Sequence, residues 1–171
     1  MSETRKTADR AGEAGLGGET AVRSSISVAV DIERAFRVFT EQMSSWWPPE
    51  HHINDAPMAA AILEPRVGGR WYELGTDGSE CEWGMVLAWD PPHHLAVTWH
   101  LDGDFRYDPA VERSSRVDVR FRAQGDGTTR VELEHSGLDH HGPSWRRLRD
   151  AISTPRGWQM HLRRFALAAQ E

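Results

Sequence analysis

The segment from Val67 to Trp99 constrains the fold more than any other part of the chain. It holds three apolar runs rich in tryptophan, punctuated by a Gly-Gly turn, an Asp-Gly turn and an Asp-Pro-Pro corner. Short apolar runs bounded by such residues are typical of antiparallel strands. A sheet that carries so many large rings is expected to curve, because rings of this size are stabilised by burial. The segment therefore predicts a curved antiparallel sheet that encloses something.

The residues before this segment predict one strand and one helix. Ile26 and Val28 alternate with serines, which indicates a half-buried strand. Asp31 is a suitable N-cap for a helix whose apolar residues, from Ile32 to Trp46, recur at spacings of three and four. The Pro48-Pro49 pair is expected to end that helix.

The remaining chain predicts more strands and then two helices. We expect strands at about 59–65, 69–75, 80–90 and 94–101, and a hairpin formed by 116–123 and 130–135. Loops are expected at 48–57 and 102–114. After Gly137 the apolar period becomes helical, with a short helix around Trp145 and a longer one that starts near Thr154. The stripe of the longer helix consists of Trp158, Leu162, Phe165 and Ala169.

These elements make one domain of the α+β class. Residues 1–20 hold almost no large apolar side chain, so we expect a disordered tail there. Residues 21–171 are expected to form a single domain in which a curved antiparallel sheet of about six to seven strands wraps around a long C-terminal helix.

Charge and composition exclude some function classes. The formal net charge is −6, which argues against nonspecific binding to nucleic acid or to an anionic membrane. From Ser144 to Glu171, however, there are six arginines and two acidic residues. This basic segment predicts a solvated helix face, or a docking face for an acidic partner or a second copy of the chain. No signal peptide or membrane-length run is present, so we expect a cytoplasmic protein.

The order and spacing of these pieces resemble the helix-grip fold of the START-like (SRPBCC) superfamily. Within it, the chain resembles the group named after the C-terminal domain of the activator of Hsp90 ATPase. The matching pieces cover residues 22–169 and are Asp31 to Phe39, Trp46-Trp47, Pro65 to Trp71, Gly84 to Trp99, Val131 to Gly137, and Gly157-Trp158.

The resemblance implies a cavity between the sheet and the C-terminal helix. Relatives use this cavity for apolar ligands and, more rarely, for catalysis such as polyketide ring closure. Three functions follow as alternatives. We expect first a protein that binds a small apolar or aromatic molecule and has no strong catalytic activity. The second is an enzyme of cyclase, lyase or hydrolase type, and the third is a chaperone cofactor or stress-response protein.

Strand alternation predicts which side chains line the cavity. Trp71 and Trp99 come from adjacent central strands, and Trp83 shares a face with Met85. The loops at 48–58 and 102–114 are expected to form the rim, with Phe105 and Tyr107 as a lid. The full set of expected ligand-binding residues is Trp71, Trp83, Met85, Trp99, Phe121, Leu133, His135, Trp158 and Leu162.

Two titratable residues are expected on the inward faces of their strands. His135 follows Val131 and Leu133, so it is expected to point inward, as a ligand contact, a general base or a strand-end histidine bonded to backbone or water. Glu73 shares the face of Trp71 and needs a partner if it is buried. His135 or Arg106 is a plausible partner, and solvent exposure near a strand end is the alternative. The enzyme hypothesis uses His135 with Glu73 or Tyr72.

No metal or cofactor is expected. The nine histidines include three adjacent pairs, and neighbouring residues on a strand point to opposite faces, so the pairs do not chelate together. The sequence contains no thiol pair, because Cys81 is its single cysteine, and no Gly-x-Ser-x-Gly motif.

Overall fold

The computed structural model describes residues 15, 16 and 20–171. The predicted disordered tail lies outside these residues, except for Thr20 and a two-residue strand. The strands are β1 (Gly15–Leu16), β2 (Val22–Val28), β3 (Met58–Leu63), β4 (Arg70–Gly75), β5 (Glu80–Asp90), β6 (His94–Trp99), β7 (Ser115–Ala123) and β8 (Thr129–Ser136). The helices are α1 (Ile32–Glu41), α2 (Trp145–Ser153) and α3 (Trp158–Ala169).

All strands belong to one antiparallel sheet. Its order is β1-β2-β8-β7-β6-β5-β4-β3, and β1 adds only two residues to the edge of a sheet of seven longer strands. The sheet curls into a half-barrel, and α3 packs against β2 and α1. The predicted α+β helix-grip architecture is confirmed.

Helix α1 begins where the sequence predicts and ends earlier. The Asp31 side chain caps it by accepting a hydrogen bond of 2.8 Å from the backbone N–H of Arg34. The predicted continuation to Trp46 is wrong, because α1 ends at Glu41 and a short 3-10 turn follows at Met43–Ser45. Adjacent residues of a helix point about 100° apart. The change of direction allows Trp46 and Trp47 to be buried together, at 1% and 5% exposure.

Helix α3 also starts at a different residue. Thr154 and Pro155 lie in a turn after α2, and Gly157 is the N-cap. A side chain at Gly157 would place its Cβ 2.1 Å from the carbonyl oxygen of Ile152, so only glycine fits this tight junction. The predicted apolar stripe of α3 is buried, and His161 is buried with it.

Two β-bulges in β5 change the faces of its side chains. Trp71 lies opposite Gly84, but Tyr72 lies opposite Glu82, so Trp83 is the extra residue of the first bulge. The register shifts again opposite β6, between Val86 and Ala88. As a result, the predicted inward orientation of Met85 is wrong: its side chain is 38% exposed, whereas that of Val86 is 1% exposed.

We predict that truncating Val86 to alanine destabilises the protein more than truncating its neighbour Met85. Val86→Ala should lower the free energy of unfolding by about 2 kcal/mol, because buried methyl groups are lost. Met85→Ala should change it by no more than about 0.5 kcal/mol, as is usual for exposed positions. Guanidinium unfolding measures both values. If β5 alternated regularly without the bulges, Met85→Ala would lose more stability than Val86→Ala.

Candidate ligand-binding cleft

A cleft of about 280 Å³ opens between the sheet and the helices. The loop at 48–57, the ends of the central strands and the α2–α3 junction surround it. Its lining residues are Trp47, Glu50, His51, His52, Ile53, Trp83, Trp99, Leu101, Phe105, Ala151, Ile152, Arg156, Gly157, Trp158 and His161. Both predicted rim loops contribute, with Phe105 at 40% exposure. Tyr107, the other predicted lid residue, does not line the cleft and packs instead on His100 at 5.6 Å between ring centroids.

Four indoles form the floor of the cleft. Trp47 lies between Trp83 and Trp158, at centroid distances of 4.9 and 6.1 Å, and Trp99 lies 5.6 Å from Trp158. None of the four is more than 5% exposed, so each shows only a small part of its ring to the cleft. Tilted and edge-to-face contacts at these distances stabilise aromatic clusters.

The indole N–H groups of the floor all point into the protein. Trp47 donates to the carbonyl oxygen of His51 at 3.0 Å, and Trp99 donates to that of Leu101 at 2.8 Å. Trp83 donates to Oε1 of Glu73 at 3.0 Å. Trp158 donates to Nδ1 of His135 at 3.2 Å. Because these donors are already used, the floor offers a ligand apolar ring surface and no indole N–H.

Glu73 is fully buried, as the strand parity indicates. Besides the Trp83 indole, its Oε1 accepts hydrogen bonds from the backbone N–H groups of Ile53 at 2.6 Å and Asn54 at 3.3 Å. This carboxylate therefore ties the loop at 48–57 to strand β4. Its Oε2 is buried and has no hydrogen-bond partner within the described residues.

His135 is also fully buried, but it lies behind the cleft. Since Nδ1 accepts the Trp158 N–H, Nε2 carries the proton and donates to Oγ of Ser115 at 2.7 Å. Burial lowers the pKa of His135 to about 3, with a smaller contribution from His141. With both nitrogens engaged, His135 has no lone pair for a ligand, which argues against the alternative in which it acts as a general base.

The predicted pairing of Glu73 with His135 is not formed. The histidine near Glu73 is His52, whose Nδ1 lies 4.0 Å from the free Oε2. Arg106, the other partner considered, is exposed on the loop at 102–114. Strand parity placed Glu73 on an inward face and left exposure near a strand end as the alternative. The loop at 48–57 brings His52 to it from outside the sheet, where strand parity gives no information.

The other predicted ligand contacts divide into three groups. Trp83, Trp99 and Trp158 line the cleft. Trp71 and Leu133 border a residual void of about 10 Å³ in the packed core. Phe121 packs between Phe36 and Phe39, and Leu162 is buried at 1% exposure, so both lie within the core. Met85 faces solvent, as described above.

Sequence reasoning missed the histidines on the polar wall of the cleft. Nδ1 of His161 lies 2.8 Å from the carbonyl oxygen of Gly157, so it carries the proton, and Nε2 accepts from Nδ1 of His51 at 3.2 Å. Burial lowers the pKa of His161 to about 4 and also lowers that of His51. The sequence signal for His51 was the place of His51-His52 in the loop that follows the Pro48-Pro49 pair.

The described part of the chain has neither a membrane-spanning helix nor a metal-binding cluster. No helix there is long and apolar enough to cross a membrane. No group of three or more His, Cys, Asp or Glu side chains in that part of the chain is arranged to hold a metal ion.

The curled sheet, the packed α3 helix and the cleft between them define a helix-grip protein of the START-like superfamily. The family model for "Activator of Hsp90 ATPase homolog 1-like protein" matches residues 29–170, and the chain belongs to this family. The resemblance noted in the sequence is thus confirmed. No curated protein matches the chain.

Solved structures with the same fold include two relatives of described function. An anthrahydroquino-γ-pyrone synthase, Txn09, solved in complex with SUM, is 43% identical, with a TM-score of 0.62 over 87% of this chain and 96% of that one. CalC from Micromonospora echinospora, a self-sacrificing resistance protein, is 32% identical, with a TM-score of 0.66 over 88% and 94%. Protein NE0264 from Nitrosomonas europaea, at 18% identity, 90% and 96% coverage and a TM-score of 0.63, shares the fold.

We predict that the hydrogen bonds of Glu73, rather than its charge, hold the cleft together. Glu73→Leu should lower the free energy of unfolding by about 3 kcal/mol or more, because it leaves buried N–H donors unpaired. Glu73→Gln keeps an acceptor oxygen in place and should cost about 1 kcal/mol or less. Equal losses for the two variants, measured by guanidinium unfolding, would contradict this interpretation.

We also predict that stability falls as the pH is lowered below 6.5. His135, His141 and His161 have folded pKa values of about 3, 4 and 4, below the ordinary value of 6.5, each chiefly because of burial. Between the folded pKa and the ordinary value of 6.5, each of these histidines is protonated in the unfolded chain but neutral in the folded one. The free energy of unfolding therefore decreases by about 1.4 kcal/mol for each histidine as the pH is lowered by one unit.

Unfolding measured from pH 7.5 to 4.5 tests this expectation. His135→Gln should remove about 1.4 kcal/mol per pH unit from the slope, since glutamine can accept from Trp158 and donate to Ser115 without titrating. His93→Gln is the control, because His93 is exposed, and it should keep the wild-type slope. If the free energy of unfolding of His135→Gln depends on pH as steeply as that of the wild type, the assignment of His135 as a buried neutral histidine is refuted.

Proposed function

We propose that this chain binds a compact, planar, hydroxylated aromatic molecule in the cleft. The observation that carries the proposal is the floor of four indoles whose N–H groups all bond inside the protein. Such a floor favours flat apolar ligands through ring contact and supplies no directional polar contact. The cleft volume of about 280 Å³ is near the lower limit for small-molecule sites, which suits a compact ligand.

The polar groups of the cleft are gathered away from its floor. His51 and His52 supply ring nitrogens, while Glu50 and Arg156 are exposed and lie among the lining residues. A few polar groups at one side of an apolar pocket fix the orientation of a ligand. This arrangement supports a ligand with hydroxyl or carbonyl groups along one edge of its ring system.

One of the relatives supports this ligand class. Txn09 is a synthase of an anthrahydroquino-γ-pyrone, which is a polycyclic aromatic product, and it is 43% identical to this chain. CalC is described as a resistance protein. The two relatives differ in their described activities. Binding of a ligand in the cleft does not depend on which of these activities this chain shares, so ligand binding is the function that the cleft supports.

The chaperone-cofactor alternative has less support. It rests on the family's name and on the basic C-terminal segment. Some arginines of that segment are engaged within the chain: Nε of Arg164 donates to the carbonyl oxygen of Trp46 at 2.7 Å, and Arg147 pairs with Asp104 at 3.3 Å. Arg156 lines the cleft instead.

Tryptophan fluorescence tests the proposal. We expect saturable quenching when the protein is titrated with 1,8-dihydroxyanthraquinone, and weaker quenching by cyclohexanol, which is not planar. Ala151→Trp should weaken binding about tenfold or more, because Ala151 lines the cleft and the larger ring fills it.

Trp89→Phe serves as the matched control for this measurement. Trp89 packs on Phe36 at 5.1 Å, away from the cleft, so this variant should bind the dye with the wild-type affinity. Absence of saturable quenching in the wild type, or binding by Ala151→Trp with unchanged affinity, contradicts the proposal.

A further inference from the structure

His52 and Glu73 form a histidine–carboxylate pair at the wall of the cleft. His52 lines the cleft with its side chain 28% exposed, whereas the side chain of Glu73 is completely buried. Nδ1 of His52 lies 4.0 Å from Oε2 of Glu73, the oxygen that has no hydrogen-bond partner within the described residues. A buried acceptor without a partner costs free energy, so its position next to a histidine calls for an explanation.

The hydrogen bonds around His52 define the tautomer of its neutral ring. Its Nδ1 lies 2.8 Å from the carbonyl oxygen of Asn54, which can only accept, so Nδ1 carries the proton. Nε2 of the neutral ring then holds a free lone pair. The N–H of Asn54 donates to Glu73, so the same carboxylate positions the loop that orients the ring. His52 thus presents a base to the cleft on a fixed support.

Protonation of Nε2 would give Glu73 a counterion. The imidazolium would place a positive charge near the free Oε2, and attraction between opposite charges is strong where water is excluded. The unpaired oxygen is therefore unfavourable in the resting protein and becomes useful once His52 has taken a proton. This is the arrangement that a general base requires, since its charged form must be stabilised during the reaction.

We propose that His52 is a general base that removes a proton from the ligand in the cleft, and that Glu73 is the positioning residue that stabilises the resulting imidazolium. This inference rests on the proposed binding function and adds a reaction to it. The substrate class is a hydroxylated aromatic molecule with an acidic O–H or C–H group.

The reaction is balanced without a cofactor. Nε2 takes the proton, and the electron pair of the broken O–H or C–H bond forms a new bond to an unsaturated carbon of the same ligand. The π electrons of that carbon move to the neighbouring atom, and the imidazolium returns the proton to it. The net change is an isomerisation, so no oxidant, reductant or co-substrate is consumed.

His51 is the competing base in the same wall. Its Nδ1 is bonded to His161, whose ring would lie next to any positive charge formed on His51. Burial lowers the pKa of His51, and the nearby Arg156 and Arg164 lower it further, although Glu50 acts in the opposite direction. No carboxylate accepts a hydrogen bond from His51 in the described part of the chain, so the geometry favours His52.

The elimination of 5-nitrobenzisoxazole tests the proposal, because it needs only a base and a planar aromatic substrate. The base removes the ring C–H proton, the N–O bond breaks, and the coloured cyanonitrophenolate is released. We expect kcat/KM for the wild type to exceed the rate constant of free imidazole by about 100-fold or more. His52→Gln should reduce it to the level of imidazole while tryptophan quenching by the probe is retained.

Glu73→Gln separates positioning from structure. Glutamine keeps an acceptor for the N–H groups of Ile53, Asn54 and Trp83 but carries no charge, so kcat should fall about tenfold while KM stays the same. His93→Gln, on the exposed turn before β6, should leave both constants unchanged. An unchanged kcat in Glu73→Gln overturns the role of the carboxylate.

The remaining outcomes distinguish this proposal from the binding function. If the probe quenches the wild type but reacts no faster than with imidazole, or if His52→Gln keeps the rate, the base is refuted and binding stands. If His51→Gln loses more rate than His52→Gln, the base is His51 and the proposal is wrong. If neither the probe nor the anthraquinone quenches the wild type, both proposals fall.

Discussion

The cleft of this protein is organised by the need of buried indole N–H groups for hydrogen-bond acceptors. A tryptophan contributes a large apolar area, but its ring nitrogen must be hydrogen-bonded when it is buried. In Trp83 and Trp158 the acceptors are themselves titratable and fully buried, namely Glu73 and His135. Leaving either donor unpaired costs about 1–3 kcal/mol, so these two residues hold the floor of the cleft in place.

This arrangement separates the apolar floor of the cleft from its polar groups. Because the indole donors bond inside the protein, the floor is apolar and suits the face of an aromatic ring. The polar groups lie on the loop at 48–57 and at the start of α3, where they can meet the edge of a ligand. Glu73 links the two parts, since one of its oxygens holds Trp83 and the loop while the other faces His52.

Much of the fold follows from local rules. Asp31 caps α1, and alternation correctly buries His135 and Glu73, because these features depend on a few neighbouring residues. Prediction fails where the sheet departs from regular pairing. The bulge at Trp83 turns Met85 to solvent, and its position depends on the register between β4 and β5, which alternation within one strand does not specify.

The sequence by itself therefore determined the architecture, the inward faces of the regular strands and three of the four indoles on the cleft floor. The tertiary structure decided which groups those residues meet. Strand alternation suggested His135 as a partner for Glu73. In the folded chain the residue beside Glu73 is His52, which lies on a loop whose sequence has no repeating pattern. The physical reason is that periodicity fixes the direction of a side chain, whereas its partner depends on how distant segments close around the core.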